Sequence, residues 1–166
     1  MTTFLFRAQK PDNIGFNSQN VVKIFDFGLA REISEHDRTR DGLYRMTGFT
    51  GAMRYMAPEV GLRRPYNLSA DVYSWGMILW YMLALEPPFG LYTEKMIDER
   101  VFRQGYRPTI FQSWSKRMGQ VLTHSWHQDC RKRPSFRQLM NALKQELIEL
   151  DPRLERTDSG EFGAKP

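Results

Sequence analysis

The sequence predicts a mainly α domain with one small β-hairpin, an α+β fold in which helices dominate. Three observations point there. An almost unbroken apolar run extends from Val72 to Leu85, long enough for a helix buried on most sides. Phe136, Leu139, Met140, Leu143, Leu147 and Leu150 recur at helical spacing. Two short β-rich runs, Ile14 to Phe16 and Val21 to Phe25, flank the turn-like Asn17-Ser18-Gln19-Asn20, the pattern of a hairpin. At 166 residues the chain suffices for one domain with a real core.

Taken in order, residues 1–5 are apolar and read as a short strand or helix end, an atypical lead-in to a domain spanning 6–150. Residues 6–13 read as a loop punctuated by Pro11, Asp12 and Asn13. The hairpin follows. Residues 29–56 alternate in charge, contain Gly42, Gly48 and Gly51, and show little periodicity, so they are expected as loop. Ser69 offers an N-cap for a helix running to about Leu85, where Pro87-Pro88 stops it. Thr93 to Arg103 and Trp114 to Trp126 are further amphipathic candidates. The last helix begins after Pro134 and Ser135. Residues 151–166 are polar, rich in charge and glycine, and expected as a disordered tail.

Composition narrows the function. With 41% hydrophobic and 26% charged residues the chain is ordinary for a globular protein. The net charge of +5 is scattered, and its densest cluster, Arg131-Lys132-Arg133, stops at Pro134. A solvated face with ion pairs is the simpler reading, so neither a nucleic acid nor a membrane is expected as partner. Cys130 is the single cysteine, which rules out an intrachain disulfide. His124 and His127 lie one helical turn apart without further ligands at metal spacing. The start carries no basic leader, so a cytoplasmic protein is expected, with a nuclear one as the alternative.

Chemistry enters with three spaced blocks. Lys10-Pro11-Asp12-Asn13 precedes Asp26-Phe27-Gly28, and Ala57-Pro58-Glu59 follows about thirty residues later. An aspartate in a tight turn after a strand suits a hard cation, and Gly28 supplies backbone freedom beside it. In this order the blocks resemble the catalytic loop, metal-binding turn and activation segment (26–59) of a protein kinase. The likeness continues. Thr50 to Val60 resembles the substrate-docking strip of the tyrosine-kinase-like group of serine/threonine kinases. Ser69 to Gly76 is similar to the central helix of the C-terminal lobe, and Cys130 to Phe136 to the lead into its last helix.

That resemblance implies a protein-kinase-like C-terminal lobe whose family uses ATP and Mg2+ to phosphorylate protein substrates. It implies that Asp26 holds the magnesium bridging the phosphates, that Asn13 holds a second, and that Lys10 touches the transferred phosphate. Lysine at that position tilts the substrate toward serine or threonine. Glu59 is expected to pair with Arg133, and Asp71 to hydrogen-bond the catalytic-loop backbone, both as architecture. Ser34, Thr39, Tyr44, Thr47 and Thr50 are phosphorylation candidates. Thr47 and Thr50 are the best placed, with Arg7 and Arg31 as phosphate partners.

Two departures matter. The family's loop reads His-Arg-Asp where this chain has Phe6-Arg7-Ala8. Alanine cannot accept the substrate's proton, a loss of about 10²–10⁴ in rate. Ala52 also stands where a threonine or serine usually bonds that aspartate. Moreover, the glycine-rich loop, strand lysine and partnering glutamate of the nucleotide lobe have no counterpart before residue 6. The sequence thus predicts a lobe inactive alone, with apolar surface uncovered around the Val72–Leu85 helix. The alternative is a pseudokinase-like module that docks a partner kinase or substrate; least favoured is an active enzyme completed in trans.

Overall fold

The computed structural model describes residues 3–7 and 9–156. Strand β1 (Thr3–Leu5) pairs antiparallel with β4 (Arg31–Ile33), in register Leu5 with Arg31 and Thr3 with Ile33. Leu5 is fully buried and belongs to the core, whereas Phe4 is exposed. The expectation of loop throughout 29–56 therefore needs correction. Three of its residues form β4, and Glu35–Asp37 and Met53–Tyr55 wind into 3₁₀ turns. A three-residue strand carries too little alternation to be read from sequence; its partner β1 supplies the hydrogen bonds.

The hairpin forms as expected. Strand β2 (Ile14–Phe16) pairs with β3 (Val22–Ile24), Ile14 opposite Ile24. Its turn is held by Asn17, whose Oδ1 accepts from the N–H groups of Gln19 and Val21 at 3.0 and 2.9 Å. Asn20 takes the left-handed φ of 58° that closes it.

Helix α1 (Pro58–Gly61) is a single buried turn leading to α2 (Ser69–Ala84). Every residue of α2 from Ala70 to Ser74 and from Gly76 to Trp80 is buried, which makes it the axis of the domain. Its cap differs from expectation. Ser69 lies inside the helix, and the Oδ1 of Asn67 accepts from the Ser69 N–H at 3.0 Å and from its hydroxyl at 2.7 Å. The Ser69 hydroxyl also donates to the Cys130 carbonyl across 61 residues. At the other end Leu85 turns left-handed, φ 57°, two residues before the prolines.

A short α3 (Glu94–Met96), capped by Thr93, continues as a wider π-type turn, Ile97–Arg103. The wide turn follows from its apolar spacing, since Ile97, Val101 and Phe102 all face the core. Helix α4 (Lys116–Ser125) starts from the Ser115 cap and crosses α2 where Gly76 meets Ser125. A Cβ on Gly76 would come within 2.8 Å of the Ser125 Cβ, so the absence of a side chain sets that approach. Helix α5 (Phe136–Leu150) opens with a capping box between Ser135 and Gln138. Of its apolar stripe only Leu139 is fully buried, whereas Phe136, Met140, Leu147 and Leu150 remain exposed. The expected tail is ordered at its start as a turn, Pro152–Arg156; residues 157–166 lie outside the described residues.

The apolar surface left open is not where the sequence places it. The middle of α2 is covered, and only its end, Met82 and Leu85, is bare. Exposure concentrates instead on Phe16, Val22, Ile24, Phe25 and Phe27, on and after the hairpin, together with Phe4.

Candidate active site in the loop beside the hairpin

Apart from the turn Pro11–Asn13, the described residues between 6 and 13 have no regular structure, so their positions depend on groups brought from elsewhere. The Asp71 carboxylate, on the first turn of α2, accepts the N–H of Phe6 at 2.7 Å and of Arg7 at 2.9 Å. Charged hydrogen bonds of this kind contribute about 1.5–3 kcal/mol each. They hold Arg7 at a left-handed φ of 61°, which costs a non-glycine residue about 1–3 kcal/mol. The Arg7 guanidinium completes the anchor: Nε donates to the Leu29 carbonyl at 2.9 Å and Nη1 to the Tyr66 hydroxyl at 3.2 Å.

Burial pushes the Asp71 carboxyl above its ordinary value, opposed by the hydrogen bonds from Phe6 and Arg7. A carboxylate raised in the folded state contributes most below its unfolded pKa. That contribution is lost as pH rises through the folded value. The Asp71 side-chain resonance, followed by NMR, is therefore expected to titrate above 3.8. A midpoint below 3.8 would show that the two backbone N–H groups outweigh desolvation.

Asn13 is buried at the end of the 3₁₀ turn Pro11–Asn13, and its carbonyl accepts the Phe25 N–H at 2.8 Å. This bond places the Asp26 turn directly beside Asn13. Asp26 adopts φ 56°, is exposed, and turns Oδ1 onto the Gly28 N–H at 3.1 Å. Among the described residues no donor engages its Oδ2. Lys10 stands at the head of the same turn, with Nζ 3.6 Å from Asp12 Oδ2. The structure thus brings Lys10, Asn13 and Asp26 into one neighbourhood. Ala8 lies outside the described residues.

The donor set fits one kind of metal site. Among the described residues no three His, Cys, Asp or Glu side chains converge, so an all-protein cage is not formed there. One carboxylate and one amide oxygen suit Mg2+, which keeps waters and takes its remaining ligands from a nucleotide's phosphates.

The activation segment meets this loop through its backbone. Arg7 Nη1 reaches the Thr47 carbonyl at 3.5 Å, and the Tyr66 hydroxyl donates to the same oxygen at 2.8 Å. Among the described residues Arg31 makes no such contact. Thr47 is exposed, whereas the Thr50 hydroxyl is buried with no partner among the described residues, so its phosphorylation requires local opening. Gly51, at φ 97°, lies against the Arg7 carbonyl; a Cβ there would approach it to 2.6 Å.

Further down, Glu59 and Arg133 form a bidentate pair, Nη1 to Oε1 at 2.6 Å and Nη2 to Oε2 at 2.8 Å. Arg133 also donates to the carbonyls of His127 and Ser69. Its guanidinium stacks 5.0 Å from the Tyr73 ring, with Arg107 5.1 Å from the same ring. Burial pushes Tyr73 up to about 12 despite both cations. Cys130 is likewise raised by burial, which suits a structural thiol. Sequence reasoning overlooked Tyr66, whose fully buried ring brings Arg7 and Thr47 onto one hydroxyl.

The described residues thus form a mainly helical lobe around the buried helix α2, with the Asp26 turn beside Asn13 and a long segment that leads to the buried Glu59–Arg133 pair. The protein kinase domain model matches residues 2–143, and the chain belongs to the protein kinase family. It is similar to the serine/threonine-protein kinase STY46 of Arabidopsis thaliana, 33% identical over 85% of this chain and 23% of that protein. The serine/threonine-protein kinase VIK of the same plant is 36% identical over 84% of this chain and 32% of its own length. The dual specificity protein kinase shkC of Dictyostelium discoideum is 31% identical over 88% and 28%. The chain therefore spans about a quarter to a third of the length of these relatives. Among the described residues no helix is long and apolar enough to cross a membrane.

Proposed function

We propose that this chain is the protein-binding, metal-holding part of a serine/threonine kinase of the tyrosine-kinase-like group. In this form it binds rather than transfers phosphate. The observation that carries the reading is the Asp71 anchor. It spends two charged hydrogen bonds on Phe6 and Arg7, the residues immediately before Ala8. These bonds fix Phe6 and Arg7, and the residue that follows, at the position of the family's proton acceptor, is alanine. Lys10 and the names of two relatives, both serine/threonine kinases, support aliphatic rather than phenolic hydroxyls as acceptors.

In this reading Asp26 and Asn13 would hold Mg2+ and Lys10 would meet the phosphate. When bound, Mg-ATP would bring the transferable phosphoryl group, and the metal would offset negative charge on the phosphates. Asp71 keeps the loop in place and Arg7 ties it to the activation segment. A proton on the acceptor hydroxyl has no side chain at position 8 to receive it. The alternative within this reading, a module that docks a partner kinase or substrate, draws on the same departure. The reading goes with a cytoplasmic or nuclear setting.

The test is label transfer from radiolabelled ATP with Mg2+ to a serine/threonine peptide library. The purified chain is expected to transfer no more label than its Asp26→Ala variant. Transfer by the unaltered chain that Asp26→Ala abolishes would overturn the proposal.

A further inference from the structure

The arginines that sequence proximity groups together are not the ones left free. Arg131 pairs with Asp129 and Arg133 with Glu59. A different set gathers elsewhere: Arg45, Arg63 and Arg64, with Met46 and Pro65, line a cleft of about 400 Å³. All three arginines are exposed. Among the described residues, none has a carboxylate within 4 Å.

The cleft is built rather than accidental. Tyr44 and Tyr66 exchange backbone hydrogen bonds at 2.8 and 3.1 Å, which brings Arg45 alongside Arg64-Pro65. The Arg64 N–H bonds the Glu59 carbonyl at 2.8 Å, tying it to the residue of the buried ion pair. Arg63 is held at φ 56° with its guanidinium 5.7 Å from the Phe49 ring. Gly48 lies so close that a Cβ would reach the Arg63 Cα at 2.6 Å. Three like charges around one cleft repel one another and raise the local potential for an anion.

We propose that this cleft binds a phosphorylated side chain on a protein segment laid along residues 45–65. A phosphomonoester brings close to two negative charges and three acceptor oxygens, enough for several guanidinium forks. A single carboxylate brings one charge and two oxygens. The proposal rests on the kinase-lobe reading for the protein nature of the partner. Its test needs neither nucleotide nor metal, so failure here leaves the kinase-lobe reading standing. The outcome of the label-transfer assay, in turn, does not move the binding result.

The experiment is fluorescence anisotropy with the full chain, confirmed unphosphorylated by intact mass. The probes are fluorescein-labelled peptides of glycine and alanine carrying one phosphoserine, serine or aspartate, and an RNA of equal length. The phosphoserine peptide is expected to bind at least about tenfold tighter than the serine peptide and to weaken with added salt. It should also bind tighter than the aspartate peptide. The triple variant Arg45→Gln/Arg63→Gln/Arg64→Gln should lose at least about tenfold while keeping its melting midpoint. Because Arg63 also covers Phe49, the double variant Arg45→Gln/Arg64→Gln serves if the triple one unfolds, with the same loss expected. Undiminished phosphopeptide affinity in a folded variant would overturn the proposal. So would equal binding of the serine or aspartate peptide, or RNA bound more tightly than phosphopeptide.

Discussion

Replacing Arg133 with methionine is expected to lower the unfolding free energy by about 3–5 kcal/mol. The Arg133 side chain has no solvent exposure and that of Glu59 only 10%, so the carboxylate left behind could not rehydrate. The loss has three parts: the bidentate pair, the bonds to the His127 and Ser69 carbonyls, and the stacking on Tyr73. Urea denaturation followed by tryptophan fluorescence measures the sum. The double variant Glu59→Leu/Arg133→Met separates pairing from burial. Removing both charges is expected to return much of the stability, because a buried pair contributes mainly by sparing each partner an unpaired state. A single variant within 1 kcal/mol of the unaltered chain would mean that water reaches Glu59 in solution.

The second large effect is expected from Phe102→Ala, a loss of about 3–5 kcal/mol in the same measurement. Phe102 is fully buried in the wide turn Ile97–Arg103 and packs on Gly61, where any Cβ would overlap the ring. A cavity there removes the support of α1 and of the turn that carries Arg63 and Arg64. Exchange of the Arg63 and Arg64 amides is accordingly expected to speed up more than that of the Ile14–Ile24 hairpin, a separate two-stranded sheet. Equal acceleration in both places would mean that the domain opens only as a whole.

How far these features were legible before folding differs by element. The hairpin, α2 and α5 were readable because each carries its signal within a dozen or so consecutive residues. Asn17 through Asn20 announce a turn, the run after Asp71 is apolar on every side, and Pro134-Ser135 precedes a 3.6-residue stripe. The pairing of β1 with β4 was not readable, since three residues at each end of a 28-residue separation hold no periodicity. Nor was the cap of α2, because Asn67 competes with Ser69 and only the Ser69 bond to the Cys130 carbonyl decides between them. Lys10, Asn13 and Asp26 could be singled out by type and spacing. Their meeting follows from the hairpin register, Ile14 opposite Ile24, which the Phe25 N–H extends onto the Asn13 backbone carbonyl; the spacing of the motif blocks alone does not set that register.

By itself the order of residues determined the class of this protein, its helices, and the absence of a carboxylate at position 8. Those are properties of side-chain type and short-range periodicity, and they survive without coordinates. Tertiary structure alone decided which charges are spent and which are free. Arg131 and Arg133, neighbours of Lys132 in the densest basic cluster, are neutralised by Asp129 and Glu59. Arg45 joins Arg63 and Arg64 through the Tyr44–Tyr66 bridge and the close approach of Gly48 to Arg63. The physical reason is that Coulomb energy depends on distance and burial in space, quantities that separation along the chain does not set.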